Sequence, residues 1–153
     1  KGVTKSCLLV LSERKTRMEL IFKMADQGAA SVVEALDSLE RKWGEQFPIM
    51  FKTITVDNGV EFSDTEGIER SVFDNQKKRT SLFYCHAYSS WERGTNENIN
   101  KMIRRHIPKG VDFDDKTEND IIYIESWINS YPRRMFRFQT SKALFEAELK
   151  QFG

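Results

Sequence analysis

The 153-residue sequence has little of what marks several protein classes. Its two cysteines are too few for a disulfide scaffold, and they show no Cys-x-x-Cys or Cys/His spacing that suits zinc. No apolar run approaches the roughly 20 residues that span a bilayer, and the start does not resemble a signal peptide. The net charge of +1 means that any nucleic-acid-binding surface must be local. We therefore expect a cytoplasmic protein with free thiols and no membrane partner.

The first residue is Lys1 rather than Met, which suggests a processed or excised piece of a longer protein. A composition of 39% hydrophobic and 31% charged residues is typical of a globular domain. A chain of this length can bury a hydrophobic core without crosslinks. Because it has no repeats, low-complexity tracts or linkers, we expect residues 1–153 to form one α/β domain.

The first third of the chain predicts a hairpin and a helix. Residues 6–12 and 18–24 are short apolar runs around a charged turn, as in an antiparallel hairpin. Ser31 and Glu34 have the spacing of a capping box, and apolar residues then recur at helical intervals. We expect this helix to be ended by Pro48.

The middle of the chain predicts strands around a polar segment. Residues 51–56 (FKTITV) are rich in β-branched residues and show an alternating pattern, which predicts a strand. The order strand, helix, strand suggests a crossover to a parallel neighbour. Residues 63–80 are expected to form a short helix and a loop, and residues 81–85 another strand. Within that strand, Phe83 and Tyr84 are expected to pack in the core.

Helical patterns return in the last third of the chain. Residues 95–106 place several apolar side chains on one face, and Pro108 with its neighbours ends that helix. A further helix is expected over residues 120–131, capped near Thr117, and a last one from Thr140 or Ser141.

Asp57 stands at the carboxyl end of a predicted strand and is followed by Asn58-Gly59. In open α/β sheets, catalytic groups gather at that edge of the sheet. The alternative is structural, because Asp-Asn-Gly is also ordinary turn chemistry. The sequence leaves both interpretations of Asp57 open.

Glu97 falls in the first turn of the predicted helix over residues 95–106, on the face opposite the apolar residues. The alternative is a solvated glutamate favoured by the helix dipole. Residues 92–110 carry five Lys or Arg against two Glu, a local charge of +3. A carboxylate among cations suits a metal held beside a polyanion such as a phosphate backbone. The five cations are Arg93, Lys101, Arg104, Arg105 and Lys109.

The pairing of a strand-end aspartate with a helical glutamate suits phosphodiester chemistry. In-line displacement at phosphorus places charge on both the attacking and the leaving oxygen, and two Mg²⁺ ions about 4 Å apart stabilise both. Such hard cations are held by carboxylate oxygens. Two carboxylates are few for two metals, so a third is expected.

Several motifs resemble the retroviral-integrase-like core of bacterial insertion-sequence transposases, in particular the insertion sequence 30 family. The most specific are residues 55–62 (TVDNGVEF), 88–100 (YSSWERGTNENIN) and 107–110 (IPKG). The resemblance also includes residues 11–17 (LSERKTR), 127–134 (WINSYPRR) and 140–145 (TSKALF), and so covers essentially the whole chain.

This resemblance implies an RNase H-like fold, in which helices flank a mixed central sheet. It also implies an Asp-Asp-Glu triad that binds two Mg²⁺ or Mn²⁺ ions. The second Asp of that triad falls on Asp57, and the Glu falls on Glu97, not on Glu92. The implied activity is DNA cleavage and strand transfer by a homo-oligomer, with the element's ends and target DNA as partners. The implied DNA-binding residues are Arg93, Asn96, Lys101, Arg104, Arg105 and Lys109.

In that family the first Asp precedes the segment that matches Lys1. Residues 1–12 contain no Asp or Glu. Glu13 directly follows residues 6–12, which correspond to the second strand of that family. We therefore expect the first, central strand to be truncated and the fragment to be inactive by itself.

Three alternative functions remain. An RNase H-like nuclease uses similar carboxylates without strand transfer, and a non-catalytic DNA-binding or assembly module needs no metal. A glycosidase built on Glu92 and Glu97 is the weakest, because their spacing does not place two carboxyls across a sugar ring. Tyr88 and Trp91 are candidates for stacking on bases.

Overall fold

The structure is a computed structural model that describes residues 6–85 and 98–152. Its chain divides into two compact units, residues 24–89 in one and residues 1–23 with 90–153 in the other. Strands and helices are both present, which confirms the α/β class, and the described strands form two two-stranded sheets. No helix of the described residues is long and apolar enough to cross a membrane. The single domain and the RNase H-like sheet stay predictions.

The main elements follow one another along the chain. They are β1 (Cys7–Ser12), β2 (Glu19–Met24), α1 (Ala29–Trp43), α2 (Phe47–Met50), β3 (Thr53–Val56), α3 (Thr65–Glu69), β4 (Ser81–Tyr84), α4 (described over residues 98–104), α5 (Glu118–Asn129) and α6 (Ser141–Phe152). Single turns of 3₁₀ helix lie at Gly44–Gln46, Val60–Phe62, Phe113–Asp115 and Arg134–Phe136.

β1 and β2 pair with each other, which confirms the predicted hairpin. The amide of Glu13 donates to the carbonyl of Met18 at 2.8 Å and closes the turn. The Glu13 carboxylate in turn accepts the amide of Lys15 at 3.0 Å. A connection of six residues is too short for a parallel crossover, so the two strands are antiparallel.

A cluster of isoleucines forms the core of the unit that contains α4, α5 and β2. Their spacing of three or four residues along each helix places them on one helical face. The apolar face predicted for residues 95–106 is therefore confirmed where the structure describes it. The buried members are Ile21, Ile99, Ile103, Ile107, Ile121, Ile124 and Ile128.

Both helix starts predicted in the last third are confirmed. The Thr117 hydroxyl accepts the amide of Asp120 at 3.1 Å, and the Asp120 carboxylate accepts the amide of Thr117 at 2.8 Å. This reciprocal pair is a capping box, and it starts α5. Thr140 accepts the amide of Ala143 at 3.1 Å in the first turn of α6.

The predicted limits of α1 are wrong at both ends. The helix begins at Ala29, and the Ser31 hydroxyl donates to Asp26 at 2.7 Å instead of capping a helix start. It ends at Gly44, whose φ of +60° suits a residue without a side chain. Pro48 lies in the first turn of α2, where a missing amide proton leaves no hydrogen bond unmade.

β3 has a parallel neighbour, but it is the next strand along the chain. β3 pairs with β4 in the register Thr53↔Ser81 to Val56↔Tyr84, and the crossover contains α3. The expectation that α1 connects β3 to a preceding parallel partner is wrong for the described strands, because β2 pairs with β1. The short helix and the loop predicted for residues 63–80 are confirmed.

The expectation that Phe83 and Tyr84 pack in the core is wrong. Their exposed fractions are 53% and 40%, whereas Leu82 in the same strand is 9% exposed. Side chains alternate between the faces of a strand, so Phe83 points away from the face that Leu82 buries. Tyr84 returns to that face, but its hydroxyl has polar partners near the surface.

A buried arginine joins α1 to the crossover between β3 and β4. The Arg79 side chain is 0% exposed and contacts Asp37 at 2.6 Å and Glu40 at 3.2 Å. It also donates to the carbonyls of Ile68 at 2.8 Å and Gly67 at 2.9 Å. The sequence pattern did not predict this network, because it treated the region as a polar loop.

Asp37 accepts hydrogen bonds from Arg70 as well as from Arg79. Burial by itself raises the pKa of Asp37, but these two guanidinium groups outweigh it and hold that pKa below its ordinary value. The carboxylate therefore stays charged, and it fixes the crossover that carries the chain from β3 to β4.

Candidate functional site

The parallel ladder of β3 and β4 ends where Asp57 begins. The amide of Cys85 donates to the carbonyl of Val56 at 2.7 Å, so pairing continues to the last residue of β3. Asp57 follows with an exposed side chain, and its Oδ1 accepts the amide of Gly59 at 2.8 Å. The turn interpretation of Asp57 is therefore confirmed. Its metal-binding and catalytic role stays a prediction, since a turn at the carboxyl edge of a parallel pair is compatible with both.

A second carboxylate folds over the same turn. A Cβ atom placed on Gly59 would lie 2.6 Å from each carboxylate oxygen of Glu61, so a larger residue there requires the flexible Glu61 side chain to move. The carbonyl of Gly59 also accepts the amide of Phe62 at 3.0 Å, which starts the 3₁₀ turn. Asp57 and Glu61 thus lie on either side of one glycine.

Tyr84 fixes the segment that follows Asp57. Its hydroxyl donates to the carbonyl of Phe62 at 2.7 Å and lies 3.0 Å from the Thr65 hydroxyl. Since Tyr84 is opposite Val56 in the ladder, this bond ties the 57–65 segment to the end of the strand pair. The position of the Asp57 turn is therefore set by β4 as well as by β3.

The cations predicted to contact DNA are exposed where the structure describes them. Lys101 and Arg104 project from α4, and Arg105 and Lys109 lie in the turns directly after it. That turn contains Gly110 with a φ of +96°, as the predicted stop after Pro108 requires. The exposed face of α4 is therefore basic, opposite its isoleucines.

Two of these cations rest on aromatic rings. The Arg104 guanidinium lies 5.6 Å from the centre of the Phe113 ring and donates to the Ile107 carbonyl at 3.4 Å. Arg105 lies 5.9 Å from the centre of the Trp127 ring. Such contacts hold the charges in place at the surface without neutralising them.

Other predicted site residues lie outside the described residues. These are Glu97, Arg93 and Asn96, together with the aromatic candidates Tyr88 and Trp91. Within residues 6–85 and 98–152 no group of three His, Cys, Asp or Glu side chains is placed to hold a metal ion. The joint metal site of Asp57 and Glu97 therefore stays a prediction.

An open groove of about 400 Å³ lies beside α4. One wall is α4, and the other is the segment of residues 131–135 that follows α5. The sequence pattern did not single out Arg133 and Arg134 as binding residues, although both directly follow Pro132 in the motif of residues 127–134. The lining residues are Asn98, Lys101, Met102, Arg105, Tyr131, Pro132, Arg133, Arg134 and Met135.

Glu19 is the other feature that sequence reasoning missed. Its side chain is 0% exposed and accepts the Ser12 hydroxyl at 2.5 Å. Burial raises the pKa of Glu19 to about 7, although the Ser12 bond and the charges of Arg133 and Arg17 oppose that rise. Glu19 thus couples the first hairpin electrostatically to the arginine wall of the groove.

Comparison with known proteins places the chain beside mobile-element proteins. It is 35% identical over 147 residues to the transposase for insertion sequence element IS4351 of Bacteroides fragilis. That alignment covers 96% of this chain and 42% of the relative. This chain is related to the transposases of bacterial insertion sequences. No protein-family model matches it.

Two further transposases support the predicted resemblance to the insertion sequence 30 family. The probable transposase for IS1161 of Streptococcus salivarius is 36% identical over 146 residues, which cover 95% of this chain and 38% of that protein. The transposase InsI for IS30C of Escherichia coli K12 is 29% identical over 145 residues, covering 95% of this chain and 36% of the relative. The chain spans about two fifths of the length of the IS4351 and IS1161 transposases.

Proposed function

We propose that the protein containing this chain is a DNA transposase that cuts DNA at the ends of a mobile element and joins the freed 3′-hydroxyls to target DNA. Its core is an RNase H-like domain, of which residues 1–153 are a large part. The observation that carries this proposal is the 35% identity to a transposase over 96% of the chain. DNA ends and target DNA are the partners, in the bacterial cytoplasm, with the protein acting as a homo-oligomer.

Asp57 and Glu97 are the proposed carboxylate ligands of two Mg²⁺ or Mn²⁺ ions, with a third Asp that residues 1–12 do not supply. The exposed Asp57 carboxylate at a strand end offers the hard oxygen donor that such ions prefer. When bound, the metal ions stabilise charge on the attacking and leaving oxygens of the displacement. The hydrogen bond from Gly59 and the Tyr84 contact to the following segment orient the Asp57 carboxylate.

Exposed cations on and after α4 are proposed to hold the DNA backbone. Lys101, Arg104, Arg105 and Lys109 are exposed, and phosphates supply the matching charge. We extend this role to Arg93 and Asn96, which precede the described part of α4 in the chain. Cations near a metal site position the substrate without taking part in bond breaking.

Residues 1–12 offer no carboxylate for the third position, so residues 1–153 alone are proposed to be inactive in strand transfer. A non-catalytic DNA-binding module is the second candidate function. It is favoured by one observation, the groove with four cationic and no acidic side chains among its described lining residues. An RNase H-like nuclease differs from the main proposal only in lacking the joining step.

The decisive experiment is strand transfer by the longer parent protein with pre-cut DNA ends and Mn²⁺. Asp57→Asn and Glu97→Gln should each reduce joining to background, because each removes a charged metal ligand. Glu92→Gln is the matched control, a glutamate of the same segment that should keep normal joining. Normal joining by Glu97→Gln would refute the assignment. If the unaltered protein cleaves uncut ends but does not join the pre-cut ones, it is a nuclease.

A further inference from the structure

The groove beside α4 concentrates positive charge on two facing walls. Lys101 comes from α4 and Arg105 from the turn directly after it, whereas Arg133 and Arg134 come from the segment after α5. Among the residues that the structure describes, none of these four cations has a carboxylate within ion-pair distance. Like charges facing each other across a groove repel unless an anion lies between them, so the groove is suited to an anionic ligand.

Arg133 is the strongest indication of that ligand. Its Nε and Nη2 atoms are buried and have no hydrogen-bond partner in the described part of the chain. Unpaired buried donors are costly, so a side-chain shift that brings this fork of donors into the groove and pairs it with two oxygens of a phosphate is favoured. The nearby Glu19 charge influences Arg133 electrostatically, but its pKa of about 7 leaves it only partly ionised at neutral pH.

The backbone that carries these arginines is held in an uncommon conformation. Arg137 and Phe138 both have left-handed φ values, +53° and +67°, although neither is glycine. Phe138 is 68% exposed, so burial of its ring does not compensate for this strain. The amide of Phe138 donates to the Arg133 carbonyl at 2.8 Å, which closes the loop and fixes Arg133 and Arg134 at the groove. Backbone strain of this kind is concentrated at ligand-binding sites.

Aromatic rings continue from the groove along α5. Tyr131 lines the groove and is 42% exposed, and its ring centre lies 5.3 Å from that of Trp127. Trp127 also contacts His106, with ring centres 4.6 Å apart, and lies under Arg105. Tyr131 is thus an exposed ring whose orientation is fixed by a second ring, beside a row of cations.

We propose that this groove binds single-stranded DNA, with the phosphates contacting Lys101, Arg105, Arg133 and Arg134 and a base stacked on Tyr131. A basic groove next to an exposed aromatic ring is the combination that binds unpaired strands with little sequence preference. Double-stranded DNA does not present base faces for stacking. The choice of DNA over other polyanions rests on the proposed function.

The test measures binding of a short fluorescent oligonucleotide by this chain, as a single strand and as a duplex, at several salt concentrations. Arg105→Gln with Arg134→Gln should weaken single-strand binding on the order of tenfold and reduce the salt slope by about 1.4, at about 0.7 per lost contact. Lys142→Gln with Lys150→Gln removes the same charge from exposed positions of α6 and should change neither. Circular dichroism checks that both variants fold.

Tyr131 separates stacking from charge. Tyr131→Leu should weaken single-strand binding at least about fivefold, whereas Tyr131→Phe keeps the ring and should retain it. Duplex binding should be unaffected by either change. If Tyr131→Leu leaves single-strand binding intact, or lowers duplex binding equally, the single-strand assignment is wrong.

The outcomes separate this proposal from the proposed function. Unchanged binding by the double arginine variant overturns the groove proposal, whatever strand-transfer assays show. Groove-dependent binding of single strands supports it even if Asp57→Asn leaves strand transfer by the longer protein unchanged, a result that would contradict only the catalytic assignment.

Discussion

Glu19 provides a stability prediction that follows from burial alone. Its carboxyl is fully buried, and its pKa rises from 4.5 to about 7. Between these values the folded protein holds a proton that the unfolded chain has released. The free energy of unfolding therefore falls as pH rises from about 4.5 to about 7, and the stabilising contribution is fully present only below that window. At roughly 1.4 kcal/mol per pH unit, the change amounts to about 3 kcal/mol.

Glu19→Gln removes this titration. The glutamine can still accept the Ser12 hydroxyl, but its amide protons meet the side of the pocket where Oε1 of Glu19 has no hydrogen-bond partner among the described residues. That mismatch costs about 1–3 kcal/mol at every pH. The variant should therefore be less stable than the parent at pH 5 but equal or more stable at pH 8.

Urea unfolding followed by circular dichroism at pH 5, 6, 7 and 8 measures the difference between the two proteins. Other titrating groups are common to both proteins and cancel in the difference. Glu34→Gln, a change at an exposed position of α1, is the matched control and should follow the parent. If Glu19→Gln and the parent lose stability in parallel from pH 5 to pH 8, Glu19 is not protonated in the folded protein and the reasoning fails.

Three further substitutions test the packing within each unit. Arg79→Met should reduce the free energy of unfolding by about 3–5 kcal/mol in urea titration, because it leaves the buried Glu40 carboxylate without its cationic partner, whereas Asp37 keeps Arg70; stability within 1 kcal/mol of the parent would contradict this. Gly59→Ala should change the thermal midpoint little, because the Glu61 carboxylate that its Cβ would meet is the far end of a flexible side chain and can move aside; a large loss would mean that Glu61 is held firmly over the turn. Ile128→Ala, at a position 0% exposed, should cost about 2–5 kcal/mol in the same titration, and a smaller loss would mean that the core closes around the cavity.

Most elements were predictable because their signals are local. The capping box of Thr117 and Asp120 lies within four residues, and the face of α4 follows from isoleucines spaced at one helical turn. The hairpin was found for the same reason, since two apolar runs flank a short charged turn. Even the failure at α1 was local, because Ser31 has a capping spacing but its hydroxyl bonds Asp26 instead.

The tertiary structure decided the interactions between residues that lie far apart in the chain. The sequence by itself determined the similarity to transposases and the basic face of α4, since both depend on the identity and spacing of residues along the chain. Only the folded chain pairs Asp37 with Arg79 and brings the Arg133 wall to α4. Burial likewise raises the pKa of Glu19 through contacts that no local pattern encodes. The energies of buried charges depend on what surrounds them in three dimensions, and that is fixed by packing rather than by sequence spacing.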